Sequence, residues 1–245
     1  MNTWSVEPLL LTSARLSTFR QDRVLTGASG FYFLRDGRLF LVTSRHVLFD
    51  EPSGHFPDRI EIELHIDGDN LARSTGFSML LYRNGKPVWR QGGDGSGDID
   101  VGVIEIERAA LPEPTIYRAF MPDHLPSAFE TIETGASVLV VGFPLGFHDT
   151  LHHMPVVRQG VIASSFGLRF QGQGYFLTDA RTHRGASGSP VVTRAVSAEG
   201  STLDPPWLLL GVHSTRFDVA RDLDRDEALG LNCAWYADIL MSLTW

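Results

Sequence analysis

Apolar positions in this chain come in short runs or alternate singly with polar ones, and the breaks fall at Gly, Pro, Asp and Asn. That period-two patterning predicts strands rather than helices. Phe31-Tyr32-Phe33-Leu34 and Leu39-Phe40-Leu41-Val42 flank Arg35-Asp36-Gly37-Arg38, which reads as a hairpin closed at Asp-Gly. Ile60, Ile62, Leu64 and Ile66 alternate with charged residues, as in a half-buried strand. Further strands are expected at 101–106, 137–141, 156–163, 175–178, 191–193 and 208–212. Helical periodicity is confined to the end of the chain, around 235–243. The stretch 111–134 is rich in proline, lacks alternation, and reads as a connector. Loops are expected at 50–58, 92–98 and 195–206, and the charged run 218–227 reads as an exposed loop. Many short strands separated by turn signals predict an all-β sandwich or barrel.

Composition narrows the function classes. With 21 basic and 29 acidic residues the net charge is −8, and no Lys/Arg-rich run stands out. Neither a nucleic-acid nor a membrane-surface partner is expected, because both need a basic footprint. The single cysteine, Cys233, cannot form an internal disulfide and reads as a small core residue. The N-terminus shows no basic segment followed by a long apolar run, so no signal peptide is evident and a cytoplasmic location is expected.

Three segments carry candidate chemistry. Arg184-Gly185-Ala186-Ser187-Gly188-Ser189-Pro190 is a small-residue turn before a strand. It offers a hydroxyl at Ser187 and amides at Gly185 and Ser187 that could bind an oxyanion. Leu41-Val42-Thr43-Ser44-Arg45-His46-Val47 ends an apolar strand on a histidine. Asp98-Ile99-Asp100-Val101-Gly102-Val103 places an acid immediately before a buried strand. Acyl transfer by serine needs this set: a nucleophile, a base, a carboxylate that holds the base, and preset N–H donors. Each segment alone also fits a cap, a turn or a packed core histidine.

Together the segments resemble the trypsin-like serine peptidase superfamily, especially its bacterial HtrA-type and glutamyl-endopeptidase branches. Val42–Val47 resembles the family's V-T-x-x-H-V box, Asp100–Val103 its D-[IV]-[AG]-[VL] box, and Thr178-Asp179-Ala180 with Gly185–Pro190 its nucleophile box. Gly142–Gly146 and Gln159–Ala163 resemble two second-barrel segments, and all matches run in family order from about residue 27 to 215. The resemblance implies a chymotrypsin-like double β-barrel with a short C-terminal helix. It implies one peptidase domain over 1–245, with a first barrel at about 9–115, a connector at about 111–134, a second barrel at about 135–234 and a terminal helix at about 235–243. It also implies a serine endopeptidase with His46, Asp100 and Ser187 as catalytic triad and Gly185 and Ser187 as oxyanion hole. Asp100 is preferred over Asp98 because it places Gly102 where the family keeps a small residue. His46 is expected within hydrogen-bond reach of both Asp100 and Ser187. Departures from the family are Ala186 for Asn or Asp, Ser189 for the commonest second Gly, and Arg184 beside the oxyanion loop. Ala186 also removes the acid with which animal trypsins pair a new N-terminal amine.

By the same resemblance, Thr182 and His213 line the first specificity pocket, which takes either an acidic side chain, as in the glutamyl branch, or a small to medium apolar one, as in the HtrA-type branch. Ser214 helps orient Asp100. If His213 had to be protonated, cleavage after glutamate would follow a bell-shaped pH profile. The substrate would be a protein or peptide. No cofactor and no metal are expected; the run His148-Asp149-Thr150-Leu151-His152-His153 has ligand-like spacing but no evident further ligand. Two rivals are a catalytically silent binding module on the same fold and a lipase-like esterase. The esterase reading fails because Ser stands at 189 and both His46 and Asp100 precede the serine.

Overall fold

The computed structural model describes residues 6–128, 132–195, 203–218 and 228–245. Parts of the expected connector, of the loop 195–206 and most of the charged run 218–227 lie outside the described residues.

Seven antiparallel strands build the first sheet: β1 (Ser13–Arg20), β2 (Arg23–Arg35), β3 (Arg38–Thr43), β4 (Arg59–His65), β5 (Ser74–Leu80), β8 (Trp89–Asp94) and β9 (Gly97–Ile106), in the order β5-β4-β1-β2-β3-β9-β8. A two-residue ribbon, β6 (Tyr82–Arg83) with β7 (Lys86–Pro87), sits between β5 and β8. The second sheet has the order β11-β10-β13-β14-β15-β12, from β10 (Ser137–Gly142), β11 (Val156–Val161), β12 (Tyr175–Thr178), β13 (Pro190–Arg194), β14 (Trp207–Asp218) and β15 (Ala228–Tyr236). Each sheet curls into a half-barrel, and the pair forms the chymotrypsin-like double barrel.

Local chemistry explains the frame. The β2–β3 hairpin closes with Asp36 at φ +50° and Gly37 at φ +76°, the doubly left-handed turn that suits strand twist. Strand β1 alternates buried Ala14, Leu16 and Thr18 with outward Arg15 and Ser17, a pattern interrupted by too many small polar residues to stand out in sequence. The expected loop at 92–98 is the tip of the β8–β9 hairpin. The end of the chain is not helical from residue 235: β15 runs through Tyr236, a 3-10 turn spans Ala237–Ile239, and α2 covers only Leu240–Leu243. Trp235 stays in the ladder because it pairs with Tyr175 on one side and Val212 on the other.

One core fills each barrel and a third lies between them. Leu16, Leu41, Ile60 and Ile104 pack inside the first, and Val138, Phe166, Phe176 and Leu210 inside the second. Phe31, Phe33, Phe40 and Phe120 join Val141, Val192, Leu240 and Leu243 in the shared cluster. Full burial of each such ring is worth about 1.5–3 kcal/mol. The terminal helix therefore belongs to the barrel junction. Arg35 and Arg90 of the first sheet donate to the carbonyls of Met241 at 2.6 Å and Leu243 at 3.1 Å. Among the described residues no helix is long and apolar enough to cross a membrane.

Candidate active site

His46 sits on a one-turn helix, α1 (Arg45–Leu48), that begins where β3 ends. Buried Val47 and Leu48 anchor the turn. Leu48 lies against Gly102 of the adjacent strand β9, where a Cβ would stand 2.6 Å from Leu48 Cδ1. A larger residue at 102 would force the buried Leu48 side chain to shift.

The two groups meet twice. His46 Nδ1 lies 2.7 Å from Asp100 Oδ2, and the His46 amide donates to Oδ1 at 2.8 Å. Ser214 Oγ donates to Oδ2 as well. Asp98, by contrast, is exposed on the hairpin. Burial opposes a charge on Asp100, but the His46 hydrogen bond and charge and the Ser214 hydroxyl outweigh it and hold its pKa below the usual aspartate value. Burial likewise opposes a charged His46, but the hydrogen bond and charge of Asp100 outweigh it and hold the imidazole pKa above the usual histidine value.

The nucleophile segment is held by a different device. Gly185 at φ +89° and Gly188 at φ +85° turn the chain through left-handed conformations that other residues adopt at a cost. A Cβ at 188 would collide with the Ser29 carbonyl and the Thr43 hydroxyl. Leu145 N–H donates to the Arg184 carbonyl at 2.5 Å. A trans peptide points its N–H opposite its C=O, so this bond turns the Gly185 N–H away from Leu145. Neither the Gly185 nor the Ser187 amide meets an acceptor among the described residues. Two free N–H groups on one tight turn are what an oxyanion site needs.

Ser29 is a residue of the candidate site that sequence reasoning missed. It is fully buried, and its amide donates to the Ser187 carbonyl at 3.0 Å. Its hydroxyl donates to the Gly185 carbonyl at 2.7 Å and accepts from the Phe143 amide at 2.9 Å. One first-barrel side chain thus ties the nucleophile turn to the 143–146 loop. The available signal was a lone hydroxyl among small residues, Gly27-Ala28-Ser29-Gly30, leading into the apolar run that starts at Phe31.

The Ser187 hydroxyl departs from expectation. It donates to the Ser214 carbonyl at 3.0 Å, and no hydrogen bond joins it to His46. The physical reason is that a neutral hydroxyl takes the nearest good acceptor, and the Ser214 backbone supplies one without strain. Breaking such a bond costs only about 0.5–1.5 kcal/mol net.

The expected pocket residues are buried: Thr182 at 3% exposure and His213 at 2%. The Thr182 hydroxyl donates to Asn232 Oδ1 at 2.7 Å, and the Asn232 amide donates to the Ala180 carbonyl at 2.5 Å. Asn232 is a second residue that sequence reasoning passed over. His213 Nδ1 is buried with no hydrogen-bond partner. Burial, helped by the charge of His46, lowers the His213 pKa to about 4. The His213 backbone carries structure too: its carbonyl accepts from Gly188 N–H at 2.8 Å and from Ser44 Oγ at 3.1 Å.

A family model described as a trypsin-like peptidase domain matches residues 28–197. No curated protein sequence matches this chain. Among solved structures, a serine endoprotease from Yersinia pestis is 16% identical with a TM-score of 0.55, covering 96% of this chain and 62% of its own. A Mycobacterium tuberculosis protein, crystallised as a serine-to-alanine mutant in an inactive form, is also 16% identical, with a TM-score of 0.50 over 100% of this chain and 92% of its own. This chain therefore spans less than two thirds of the first of them.

Proposed function

We propose that this chain, which belongs to the trypsin-like peptidase family, is a serine endopeptidase acting on proteins or peptides through Ser187, His46 and Asp100. The observation that carries the reading is the double grip of Asp100 on His46. With the Nδ1 proton held by the carboxylate, Nε2 keeps its lone pair and becomes a base. Rotation of the Ser187 side chain off the Ser214 carbonyl brings its hydroxyl to that base. Its oxygen attacks the scissile carbonyl as Nε2 takes the proton. The carbonyl electrons move to oxygen, where the Gly185 and Ser187 amides receive them. One such donor is worth about 10²–10³ in rate. Collapse expels the amine, which takes the proton from Nε2, and water then repeats the sequence on the acyl-enzyme.

Acidic specificity is the finer reading, and the buried His213 supports it as a donor to a glutamate carboxylate. Burial keeps the His213 imidazole of the substrate-free chain neutral, so in this reading it offers one N–H to the substrate carboxylate, while Thr182, whose proton goes to Asn232, fixes the pocket floor. Cleavage after glutamate should then rise with pH in one limb; a bell-shaped profile would mean that the substrate carboxylate raises the His213 pKa and charges the ring. A peptide library should show cleavage after glutamate that disappears in His213→Ala. Cleavage after Val, Ala or Leu, unchanged in that variant, rejects the acidic pocket and leaves the peptidase reading intact.

The position of the Ser187 hydroxyl is the one observation that favours a catalytically silent binding module. Fluorophosphonate labelling decides between the two readings. An adduct mapped to Ser187 and absent from Ser187→Ala supports the peptidase; an adduct on another serine, with Ser187→Ala still active, removes it.

A further inference from the structure

Beyond the peptidase site, Glu63 of β4 faces the segment that joins β10 to β11. One carboxylate oxygen of Glu63 and one ring nitrogen each of His148 and His153 lie within 4.8 Å of one another. All three side chains are half-buried. The histidine run had ligand-like spacing but lacked a further ligand, and the other barrel supplies it. We propose that Glu63, His148 and His153 form a binding site for a zinc-class divalent cation that bridges the two barrels.

The arrangement has the features of a ligand set. His148 Nδ1 lies 2.6 Å from the Gly146 carbonyl, which places the proton on Nδ1 and leaves Nε2 with its lone pair. Metal-binding histidines use this arrangement, one nitrogen for the ion and the other donating to a carbonyl. His153 Nδ1 lies 2.7 Å from Glu63 Oε1, yet it is buried and forms no hydrogen bond there. That ion-pair distance is too short for a cation to lie between the two atoms, so a bound ion would separate them and take a lone pair from each. Glu63 is itself oriented: Ser74 Oγ donates to Oε1 at 3.0 Å and Arg15 to Oε2 at 3.2 Å.

The neighbouring histidines are otherwise engaged. His65 Nε2 lies 2.7 Å from the His152 carbonyl, and His152 Nδ1 lies 2.7 Å from Asp149 Oδ2. The proposed pair is therefore 148 and 153, and His152 serves as the internal control. Two imidazoles and one carboxylate suit zinc or cobalt better than calcium or magnesium, which prefer all-oxygen sets. Zinc bonds of about 2.0–2.1 Å require ligand atoms roughly 3.4 Å apart in a tetrahedron, so binding draws the outlying atoms together by about an ångström and parts His153 from Glu63. A solvent molecule would complete the fourth position.

The site abuts the nucleophile turn. His148 holds Gly146, and Leu145 holds the Arg184 carbonyl. An ion here would pin that loop to β4 and stabilise the junction of the barrels, because a ligand that binds only the folded state adds stability in proportion to its occupancy.

Titration of the chelator-treated full chain with zinc, in competition with a chromophoric indicator, tests the proposal. One equivalent should bind saturably, the melting temperature should rise with free zinc, and cobalt should give the visible bands of a four- or five-coordinate ion. His148→Ala, His153→Ala and Glu63→Gln should each weaken binding about tenfold or more, with metal-free melting temperatures showing that the variants fold. His152→Ala should bind as the parent does. Absence of saturable binding, equal affinity in the three variants, or loss in His152→Ala alone would overturn the site. None of these readouts depends on proteolysis, so the site stands or falls apart from the peptidase reading.

Discussion

The two halves of the candidate active site are prepared to different degrees. In the His46–Asp100 half the carboxylate is fully held: both its oxygens are engaged, and Ser214 adds a third donor. In the Ser187 half the hydroxyl is parked on a backbone carbonyl, while two amides wait without acceptors. The difference follows from charge. A buried carboxylate without partners costs several kcal/mol, so the fold must satisfy Asp100 before any substrate arrives. A neutral hydroxyl can swing between acceptors for about 1 kcal/mol, so its final alignment can be left to substrate binding. Preorganisation is concentrated where it would be most expensive to supply late.

The largest expected effect comes from breaking the prepared half. Asp100→Asn keeps the shape but removes the charge and favours the wrong imidazole tautomer, and turnover should fall on the order of 10⁴-fold. It also removes the two strongest influences that raise the His46 pKa and leaves the burial that lowers it. The pH–rate limb, which in the parent should rise at a pH above the ordinary histidine pKa, should therefore move to lower pH. A loss under tenfold, or a limb that stays in place, would mean that Asp100 is not the partner that matters.

The other half should break more gently. Ser29→Ala removes the hydroxyl shared by the Gly185 carbonyl and the Phe143 amide but keeps the Ser29 amide on Ser187. Two buried groups lose their partner, at a cost of about 1–3 kcal/mol, which corresponds to roughly 5- to 150-fold if it is expressed in the transition state. Because the turn shapes the oxyanion site, kcat should fall with KM nearly constant. A lower melting temperature with unchanged kcat would reduce Ser29 to a packing residue.

The two halves were also unequally legible in the sequence. His46, Asp100 and Ser214 belong to short boxes in which side chain and backbone context are adjacent, and Gly102 reports its tight packing directly. Ser29, Asn232 and Glu63 act across the fold: the Ser29 hydroxyl bonds a carbonyl 156 residues away, and Glu63 reads as one more outward charge on an alternating strand until the second barrel is placed over it. The hairpin at Asp36-Gly37 was legible because its turn demands those residues. Strand β1 was not, because Ser, Arg and Thr dilute its alternation. The Ser187 rotamer lay beyond any pattern, since it depends on an acceptor, the Ser214 carbonyl, that only the folded chain brings to it.

Ser214 touches both halves, so its truncation gives the smallest and most informative effect. Ser214→Ala removes the hydroxyl on Asp100 but retains the carbonyl that holds Ser187. A hydrogen bond to a charged group is worth about 1.5–3 kcal/mol. Most of that should appear as stability rather than rate, because His46 still supplies two donors to the carboxylate. Turnover should fall by about tenfold or less. The sign of the pH dependence identifies the mechanism. The folded-state pKa of Asp100 is depressed, partly by this hydroxyl, so its stabilising contribution is present above the unfolded pKa of about 3.9 and is lost as pH falls through the folded value. Ser214→Ala makes the depression smaller. Denaturant melts of parent and variant should therefore differ most at neutral pH and converge in acid, where Asp100 is protonated in both. A gap that stays constant from neutral to acid pH would place the Ser214 contribution in packing and not in the support of the Asp100 charge.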